Sequence, residues 1–485
     1  MREHKSQLNF GIFQHLETIL DDLYRPIYFC NSYLFLTKLS ASNIHKYHAC
    51  LDPKFFKLSI YLFTYIFRLC ARIILIYWRN FFMTNHPLPN DNLHRNKERL
   101  DHLFISHIVK NLPDKVNDNY FGQIPVVLKQ MQKKIDLYYI QHDVKTANNR
   151  GFNLINSKIN FVQLCNVIFQ QMKNSLAIVV HFYRCKFKYF FLHLYVIEHQ
   201  FSKITLHNII ISLKITKLCK DLEVRNLHLT FEGNGFEIQT TENLLLSTTK
   251  IYLHQFAPIT SGHIGLTKFL ERIKGEKVII FTTGHAVSNY FKSIADKSIK
   301  IVTIGTSKSE ISYKDRILTK KNDVLFLPEG TFIQSLYFTF LAKNLSIKFP
   351  AINFRIRLHP DLISNEKIKK IVKNLNLENL VVSDQSLYED FRVSKVSIFH
   401  TSATGLQGMY QGVFPIHISE FDAHPDIMNP FFLLKNNFFE ASNYHSLNSN
   451  FASIYYSKDH ILNDELIKMV YQIFQPLDYQ VLESF

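Results

Sequence analysis

Cysteine is scarce in this sequence and unevenly placed. The chain has six cysteines, no CxxC pair, and none after residue 219. Secreted disulfide scaffolds and structural zinc modules depend on closely spaced cysteines, so the sequence excludes both classes. The cysteine usage is typical of a cytosolic protein.

Short catalytic motifs are also absent. The chain contains no DxD triplet and no HExxH, P-loop, GxGxxG or GxSxG sequence. Metal-dependent chemistry of the DxD or HExxH kind therefore has no visible ligands, and serine hydrolase chemistry is not indicated. We expect neither a metal ion nor an organic cofactor.

Acidic residues are few in the first part of the chain. Lys and Arg outnumber Asp and Glu by 56 to 40 overall, but the count is 27 to 27 from residue 221 onward, so residues 1–220 hold 29 against 13. Such asymmetry predicts a polyanionic partner for the first part. No nucleic-acid-binding motif accompanies the charge, so an anionic membrane or an acidic glycan is preferred.

The opening residues predict no secretory signal, because Met1 to Asn9 is polar. One apolar run, residues 58–78, is long enough to span a bilayer, but it carries Arg68 and Arg72. Each arginine would cost ~2.5–3.5 kcal/mol at the centre of a span. We therefore expect a helix lying in the plane of the cytoplasmic leaflet, with a buried helix or a true span as alternatives. Its basic and aromatic face would consist of Lys57, Tyr61, Tyr65, Arg68, Arg72 and Arg79.

The pattern along the chain predicts an α/β protein with two doubly wound Rossmann-like domains that face a cleft. Residues 1–94 form a helical basic extension, and residues 95–270 form a first domain with a helical insertion at about 153–204. Residues 271–485 form a second domain. Strands separated by helical patterns imply parallel βαβ units. The predicted strands are 103–106, 135–140, 226–231 and 250–254 in the first domain, and 277–281, 299–304, 323–327, 352–358, 380–383, 396–399 and 413–418 in the second.

Small polar residues follow four strands that we assign to the second domain. Each segment alone resembles an ordinary helix cap, but four at one rim favour a nucleotide pocket, because ligands of open α/β sheets bind beyond the carboxyl ends of the strands. Helix N-termini at that rim suit a phosphate. The candidate donor-binding residues are Gly284, His285, Glu329, Gly330, Arg357, Pro360, Thr401, Ser402 and Thr404, together with His359.

The run Arg355–Pro360 is the most informative segment. An apolar strand precedes it, and a basic amphipathic helix is predicted over Asp361–Leu375. Because proline fixes the backbone, His359 would point rigidly into the crevice. The competing interpretation is a helix that starts with Pro360 and is capped by His359. We expect Arg355 to pair within the fold.

Three elements in order resemble the GT-B-fold bacterial sialyltransferases and polysialyltransferases. They are Phe231-Glu232-Gly233, Arg357-Leu358-His359-Pro360 and Thr401-Ser402. The family's hallmarks are an acidic-Asp-Gly motif, an HP motif and a later Ser/Thr pair. Here the first motif lacks its Asp. The resemblance covers roughly residues 95–425 in pattern. The second half also resembles a wider set of surface-carbohydrate transferases that use CMP-linked nonulosonic or octulosonic acids.

The resemblance implies a metal-independent glycosyltransferase that moves an acidic sugar from a CMP donor to a surface glycan or lipid-linked acceptor. Glu232 would be the base, and His359 with Thr401 and Ser402 would hold the leaving phosphate. Arg357 would offset the sugar carboxylate if the strand persists to His359. Glu329 would line the donor pocket, and it is also the competing base.

Several alternatives stay open. The donor could be an NDP-sugar or a CDP-polyol, and a non-catalytic nucleotide-binding scaffold of a polysaccharide assembly system is the alternative from another class. His254 and His285 are further candidates at strand ends. Retention of configuration would need a second group, Glu237 or Glu329. We expect a cytoplasmic protein, peripheral on the inner face of the plasma membrane through residues 1–94, that acts in capsule or lipopolysaccharide synthesis.

Overall fold

A computed structural model describes residues 99–107, 118, 120–140, 153–155, 161–184, 203–260, 263–306, 322–363, 365–419, 429–434, 440–441, 444–456 and 464–483. The predicted extension 1–94, with its apolar run 58–78, lies outside these residues, so its binding to a membrane stays a prediction. Within the described residues, no helix is both long and apolar enough to cross a bilayer.

The first sheet has seven strands, all parallel, in the order β3-β2-β1-β4-β5-β6-β7. The central strands are buried on both faces, as expected of a sheet covered by helices. The strands are β1 His102–His107, β2 Ile135–Ile140, β3 Asn153–Ile155, β4 Asn226–Thr230, β5 Lys250–His254, β6 Val278–Thr282 and β7 Lys300–Thr303.

The second sheet has six parallel strands in the order β10-β9-β8-β11-β12-β13, which repeats the winding of the first. Both orders are those of the Rossmann fold. The prediction of an α/β protein with two doubly wound domains is confirmed, and their succession is the GT-B arrangement. The strands are β8 Asp323–Leu327, β9 Phe354–Ile356, β10 Leu380–Val382, β11 Ser394–Phe399, β12 Phe414–Ile418 and β13 Glu440–Ala441.

The helices lie mostly on the connections between strands. With the first sheet are α1 Ile124–Gln130, α2 Phe161–Arg184, α3 Lys203–Asp221, α4 Gly235–Leu244, α5 Ile264–Arg272 and α6 His285–Ile294. With the second are α7 Phe332–Lys348, α8 Glu366–Asn374, α9 Leu387–Val393, α10 Ala403–Tyr410 and α11 Tyr444–Tyr456. The chain continues with α12 Asp464–Ile473 and α13 Tyr479–Glu483.

The change of sheet does not coincide with the predicted boundary at residue 271. Strand β6 pairs with β5, and β7 pairs with β6, so both belong to the first sheet. The second sheet begins with β8 at Asp323. The alternation of strands and helices runs through residue 271 without a break, and pairing between strands is non-local, so the sequence pattern alone did not reveal which sheet these strands join.

The predicted helical insertion at 153–204 also differs from the structure. The segment begins with edge strand β3, and its second described helix, α3, extends to Asp221. Helices α2 and α3 lie on the connection that carries the chain from β3 across to β4. They are therefore part of the crossover of the first sheet, and α3 packs against α4.

The C-terminal segment returns to the first sheet. Helix α12 packs against α6 of the first half and α10 of the second. The Thr283 hydroxyl donates to the Ile473 carbonyl at 2.6 Å, and the Asp478 amide donates to the Ile304 carbonyl at 2.8 Å. Apolar side chains from both halves and from α12 form one continuous core, which includes Phe291, Leu406 and Ile473.

Candidate functional site

The strand order locates two crevices. In a doubly wound sheet, ligands bind beyond the carboxyl ends of the strands where the order reverses. That point lies between β1 and β4 in the first sheet and between β8 and β11 in the second. Polar side chains form hydrogen-bonded networks at both points. We call the point between β1 and β4 the first rim and the point between β8 and β11 the second rim.

The second rim joins the ends of β8 and β11. Glu329 follows β8 and His400 follows β11, and the Glu329 Oε1 atom is 3.1 Å from His400 Nδ1. The same oxygen accepts from the Thr401 amide at 2.8 Å. Gln334, in the first turn of α7, lies 3.1 Å from His400 Nδ1 through its Nε2 atom. Predicted residues Glu329 and Thr401 are thus brought together, although 72 residues separate them.

Glu329 is held as a carboxylate. Burial by itself raises the pKa of this half-buried group, but the hydrogen bond and charge of His400, together with the Thr401 amide, lower it more. The net pKa lies below that of an ordinary glutamate. Because Oε1 already accepts two protein donors, Glu329 fixes the loop and the His400 ring at this rim.

Helix α10 begins at the second rim. Ser402 is its N-cap and accepts from the Thr404 amide at 3.3 Å. A side chain at Gly405 would overlap the Phe399 ring, so glycine lets the first turn lie directly on β11. The Gly405 amide donates to the Ser402 carbonyl, so the Ala403 amide is the N–H group of this turn that is left for an anion, with the hydroxyls of the half-buried Thr401 and Thr404 beside it.

Arg357 has a structural partner. Strand β9 ends at Ile356, so the strand does not persist to His359 and the predicted shared face is absent. The Arg357 Nη1 atom donates to Asp390 at 2.8 Å and to the Gln385 carbonyl at 2.7 Å. Asp390 is fully buried. Arg357 therefore neutralises a buried carboxylate, and its predicted contact with a sugar carboxylate would have to use its other nitrogens.

Arg355 ion-pairs with Asp323, so the prediction that Arg355 pairs within the fold is confirmed.

His359 is half-buried and follows β9, the neighbour of β8. Pro360 starts a short 3₁₀ turn, in which the Leu362 amide donates to the His359 carbonyl at 2.8 Å. Helix α8 begins only at Glu366, because Asn365 caps it through its side chain. The predicted α-helix start at Asp361 is wrong, whereas the alternative of a helix that starts with Pro360 after His359 is met only by this single 3₁₀ turn. The contact of His359 with phosphate stays a prediction.

The first rim contains a chain of three side chains. The His107 Nε2 atom, at the end of β1, is 3.0 Å from the Thr230 hydroxyl at the end of β4. That hydroxyl donates to Glu237 Oε1 at 2.7 Å. Glu237 is fully buried, and it closes a capping box with Asn234 at the start of α4. Burial raises the pKa of Glu237 most, and the charge of Glu232 raises it further. The hydrogen bonds from Thr230 and Asn234 lower it, and the net pKa is about 8.

Glu232 lies on the loop between β4 and α4, at the predicted edge of the sheet. It is half-buried, and its amide donates to Glu237 Oε2 at 2.9 Å. Gly233 follows with φ +81°, a conformation that favours glycine. The capping box therefore fixes the loop that carries the predicted base. Glu237 itself, the predicted second group for a retaining reaction, is enclosed by the fold and holds this loop.

Three buried histidines cross the first sheet diagonally. His102 Nδ1 is 2.9 Å from His228 Nε2, and His228 Nδ1 is 3.0 Å from His254 Nε2. Burial lowers the pKa of His102 to about 4 and that of His254 to about 3, and it lowers the pKa of His228 well below its usual value. The imidazoles are therefore neutral at pH 7. His254, a candidate from the sequence, is the last of these three histidines. On β5 it pairs in register with Thr230 of β4.

The sequence predicted that Gly284 and His285 lie at the second rim, but the structure places them elsewhere. They follow β6 of the first sheet, because β6 pairs with β5. A side chain at Gly284 would overlap the backbone of Gln472 and Ile473, so this glycine permits the close approach of α12. His285 is exposed at the start of α6. Their predicted role as donor ligands has no support from this placement.

Sequence reasoning did not select His107, His400 or Gln334. A signal existed for the two histidines, since each ends or directly follows an apolar strand, the position that the sequence pattern assigned to His359. Gln334 had no such signal, because it lies within the first turn of a helix and reaches His400 only in three dimensions.

Solved structures give partial likenesses. MurG from Acinetobacter baumannii is 11% identical with a TM-score of 0.46, over 79% of this chain and 98% of that one. UDP-GlcNAc 2-epimerase from Neisseria meningitidis is 10% identical with a TM-score of 0.45, over 79% and 99%. A glycosyltransferase from Rickettsia africae is 13% identical with a TM-score of 0.41, over 77% and 94%.

No family model matches the chain, and no curated protein matches its sequence. The fold assignment therefore rests on strand order and register, and the sialyltransferase-like resemblance remains a prediction from short motifs.

Proposed function

We propose that the chain is a glycosyltransferase that binds a nucleotide-sugar donor at the second rim and an acceptor hydroxyl at the first. The observation that carries the proposal is the Glu329–His400–Thr401 network at the switch point, directly beside the N-terminus of α10. A fixed set of N–H and hydroxyl donors at this point suits a phosphate.

The donor is proposed to place its phosphate over the first turn of α10. Charge develops on that phosphate as the sugar leaves, and donors already fixed in position stabilise it without reorganisation. Thr401 and Thr404 would supply hydroxyls, and Glu329 keeps the His400 ring and the Thr401 amide in place. His359, at the end of the adjacent strand, is proposed to complete the phosphate site.

The base that accepts the acceptor's proton is proposed to be Glu232. The capping box of Asn234 and Glu237 fixes its loop. One observation favours His107 as a second candidate: its Nε2 atom already exchanges a hydrogen bond with Thr230, which is backed by Glu237. A positioned base of either kind contributes about 10²–10⁴-fold in rate.

For the donor we propose a CMP-linked acidic sugar, on the resemblance carried by Glu232-Gly233, His359-Pro360 and Thr401-Ser402. An NDP-sugar donor would use the same rim with different base contacts. The acceptor is proposed to be a glycan or a lipid-linked sugar at the cytoplasmic face of the plasma membrane. No metal or cofactor enters this scheme.

Calorimetric titration with CMP, CDP, UDP and GDP tests the donor site. We expect CMP to bind most tightly and His359→Ala to weaken its binding by about tenfold or more, a loss of one charge-assisted contact. His285→Ala is the matched control, because His285 is an exposed histidine at the end of a strand in the first sheet. Failure of all four nucleotides to bind would contradict the donor site, and preference for UDP would replace the CMP donor by an NDP-sugar.

Turnover assays separate the two bases. Glu232→Gln should abolish transfer while CMP binding stays within about threefold. If His107→Ala abolishes transfer and Glu232→Gln does not, the base is His107. A protein that binds nucleotide but transfers no sugar from any offered donor would support the scaffold alternative.

A further inference from the structure

Helix α2 presents its more apolar side away from the protein. Val162, Phe169, Met172, Leu176 and Val180 are exposed by 66%, 71%, 57%, 64% and 45%. At 3.6 residues per turn these positions fall within an arc of about 80°, so they form one continuous stripe. We call this stripe the outer face of α2.

The opposite side of α2 is less apolar than the outer face. Val167, Gln171, Asn174 and Ile178 are buried there, and Val167 joins the core beneath α3. Two of these four inward residues are amides, whereas all five residues of the outer face are apolar. An ordinary surface helix has the reverse arrangement. An exposed apolar stripe of this size marks a binding surface.

The charge around α2 indicates the partner. Residues 144–197 contain seven Lys or Arg residues and no Asp or Glu. Lys173 lies beside the stripe on the exposed side of the helix, and Arg184 is the last residue of α2. An apolar stripe beside the exposed Lys173, in a chain segment that has no acidic residue, fits the boundary between the acyl chains and the anionic headgroups of a lipid leaflet.

Other occupants fit this charge poorly. A second copy would bring together two basic segments that have no acidic residue to pair with Lys173, which costs electrostatic energy. The chain's own residues 1–98 are also basic, with twelve Lys or Arg against seven Asp or Glu. An anionic bilayer offers both an apolar layer and complementary charge.

We propose that the outer face of α2 is a membrane-docking surface that lies in the plane of an anionic leaflet. Phe169, Met172 and Leu176 enter the acyl region, and Lys173 reaches the headgroups. The surface belongs to the crossover of the first sheet, so docking holds the first domain, with its proposed acceptor site, at the bilayer. The surface itself follows from α2 alone and does not depend on the proposed reaction.

The test places a single fluorescent reporter in the stripe. Trp78 is the only tryptophan, so Phe169→Trp in a Trp78→Phe background of the full chain reports α2 alone. The matched control is Phe340→Trp in the same background, since Phe340 is also an exposed phenylalanine on a helix. Both variants are mixed with phosphatidylcholine vesicles containing about 30% phosphatidylglycerol, where headgroup charge attracts basic segments.

With the tryptophan at position 169, we expect its fluorescence emission to shift to the blue and to be strongly quenched by brominated acyl chains. With the tryptophan at position 340, we expect little change in its emission. Phe169→Glu/Leu176→Glu should lower partitioning by about tenfold or more if these residues supply the main apolar contact, while Phe340→Glu/Ile347→Glu should not. Three outcomes would overturn the proposal: bound protein without quenching at 169, equal quenching with neutral vesicles, or a concentration-dependent shift without vesicles, which would indicate a second copy.

Discussion

The first and second rims share a strand order and differ in charge. At the first rim, burial raises the pKa of Glu237 to about 8, and the neighbouring His254, whose strand pairs in register with Thr230, is neutral because burial lowers its pKa to about 3. At the second rim, Glu329 is ionised beside His400, and Arg357 pairs with the buried Asp390. One topology thus carries two kinds of chemistry, because function depends on the site and not on the fold.

The largest expected effect comes from acid and acts on the three buried histidines that cross the first sheet. For His102, His228 and His254 the folded pKa is below the unfolded value of 6.5, so the unfolded state binds more protons. Stability is fully present above pH 6.5 and falls as pH drops below it, by about 1.4 kcal/mol per pH unit for each histidine. Glu237 acts in the opposite sense, because its pKa is raised to about 8, so the net slope between pH 6 and 5 is that of about two histidines. Urea unfolding at pH 7.5, 6.0 and 5.0 measures this net slope.

The second rim should contribute to acid unfolding only at a lower pH than the histidines. The pKa of Glu329 is lowered, so its contribution is present above about 4.5 and is lost as pH falls through the folded value. A stability curve that is flat between pH 7.5 and 5 would contradict the description of His102, His228 and His254 as buried neutral histidines.

The next effect concerns the buried ion pair behind the second rim. Arg357→Ala leaves the Asp390 carboxylate buried without its charged partner, which costs about 3–5 kcal/mol. Arg225→Ala is the control, because Arg225 makes an exposed pair with Asp101 that is worth at most about 1 kcal/mol. Urea unfolding at pH 7 compares them, and equal losses would show that Arg357 has no special structural role.

Paired Glu→Gln variants then compare the two rims directly. Glu329→Gln removes the negative charge that holds His400 and the Thr401 amide, so the CMP dissociation constant should rise about tenfold. Glu237→Gln alters the other rim and should leave CMP binding within about threefold. Calorimetry on both variants checks this, and a larger loss with Glu237→Gln would reverse the assignment of the donor site.

A further effect, of similar size, concerns the contact between α12 and α6, which joins the two halves. Gly284→Ala pushes a methyl group into the backbone of Gln472 and Ile473, and should cost about 1–3 kcal/mol. Asn289→Ala, at an exposed position on the same helix, should stay within about 0.5 kcal/mol. Thermal unfolding measures both, and equal midpoints would show that α12 does not approach α6 this closely.

Local patterns predicted the strands well and long-range relations poorly. The predicted bounds of β2, β5 and β8 equal the observed ones, because each strand is a short run of mostly apolar and aromatic residues between polar segments. Membership of β6 and β7 in the first sheet depends on pairing, which no local pattern encodes. The start of α8 was predicted too early because Asn365, and not His359, supplies the cap.

The residues of the candidate sites likewise divide into those that local patterns located and those that depend on long-range contacts. The strand-end rule located Glu232, Glu329 and Thr401 at the rims, since carboxyl ends of parallel strands share one edge. The rule did not reveal that Arg357 is committed to Asp390, which lies 33 residues further along the chain. It also did not reveal that His107 and Glu237 share Thr230, because that contact joins β1 to β4.

The central claim is that a nucleotide binds at the second rim. Hydrogen exchange measured by mass spectrometry, with and without CMP, tests this location most directly. We expect CMP to slow exchange in peptides that cover Thr401–Tyr410 and Glu329–Gln334, and to leave peptides that cover Asn226–Leu244 unchanged. Slowed exchange over Asn226–Leu244 alone, or no change anywhere at saturating CMP, would contradict the claim.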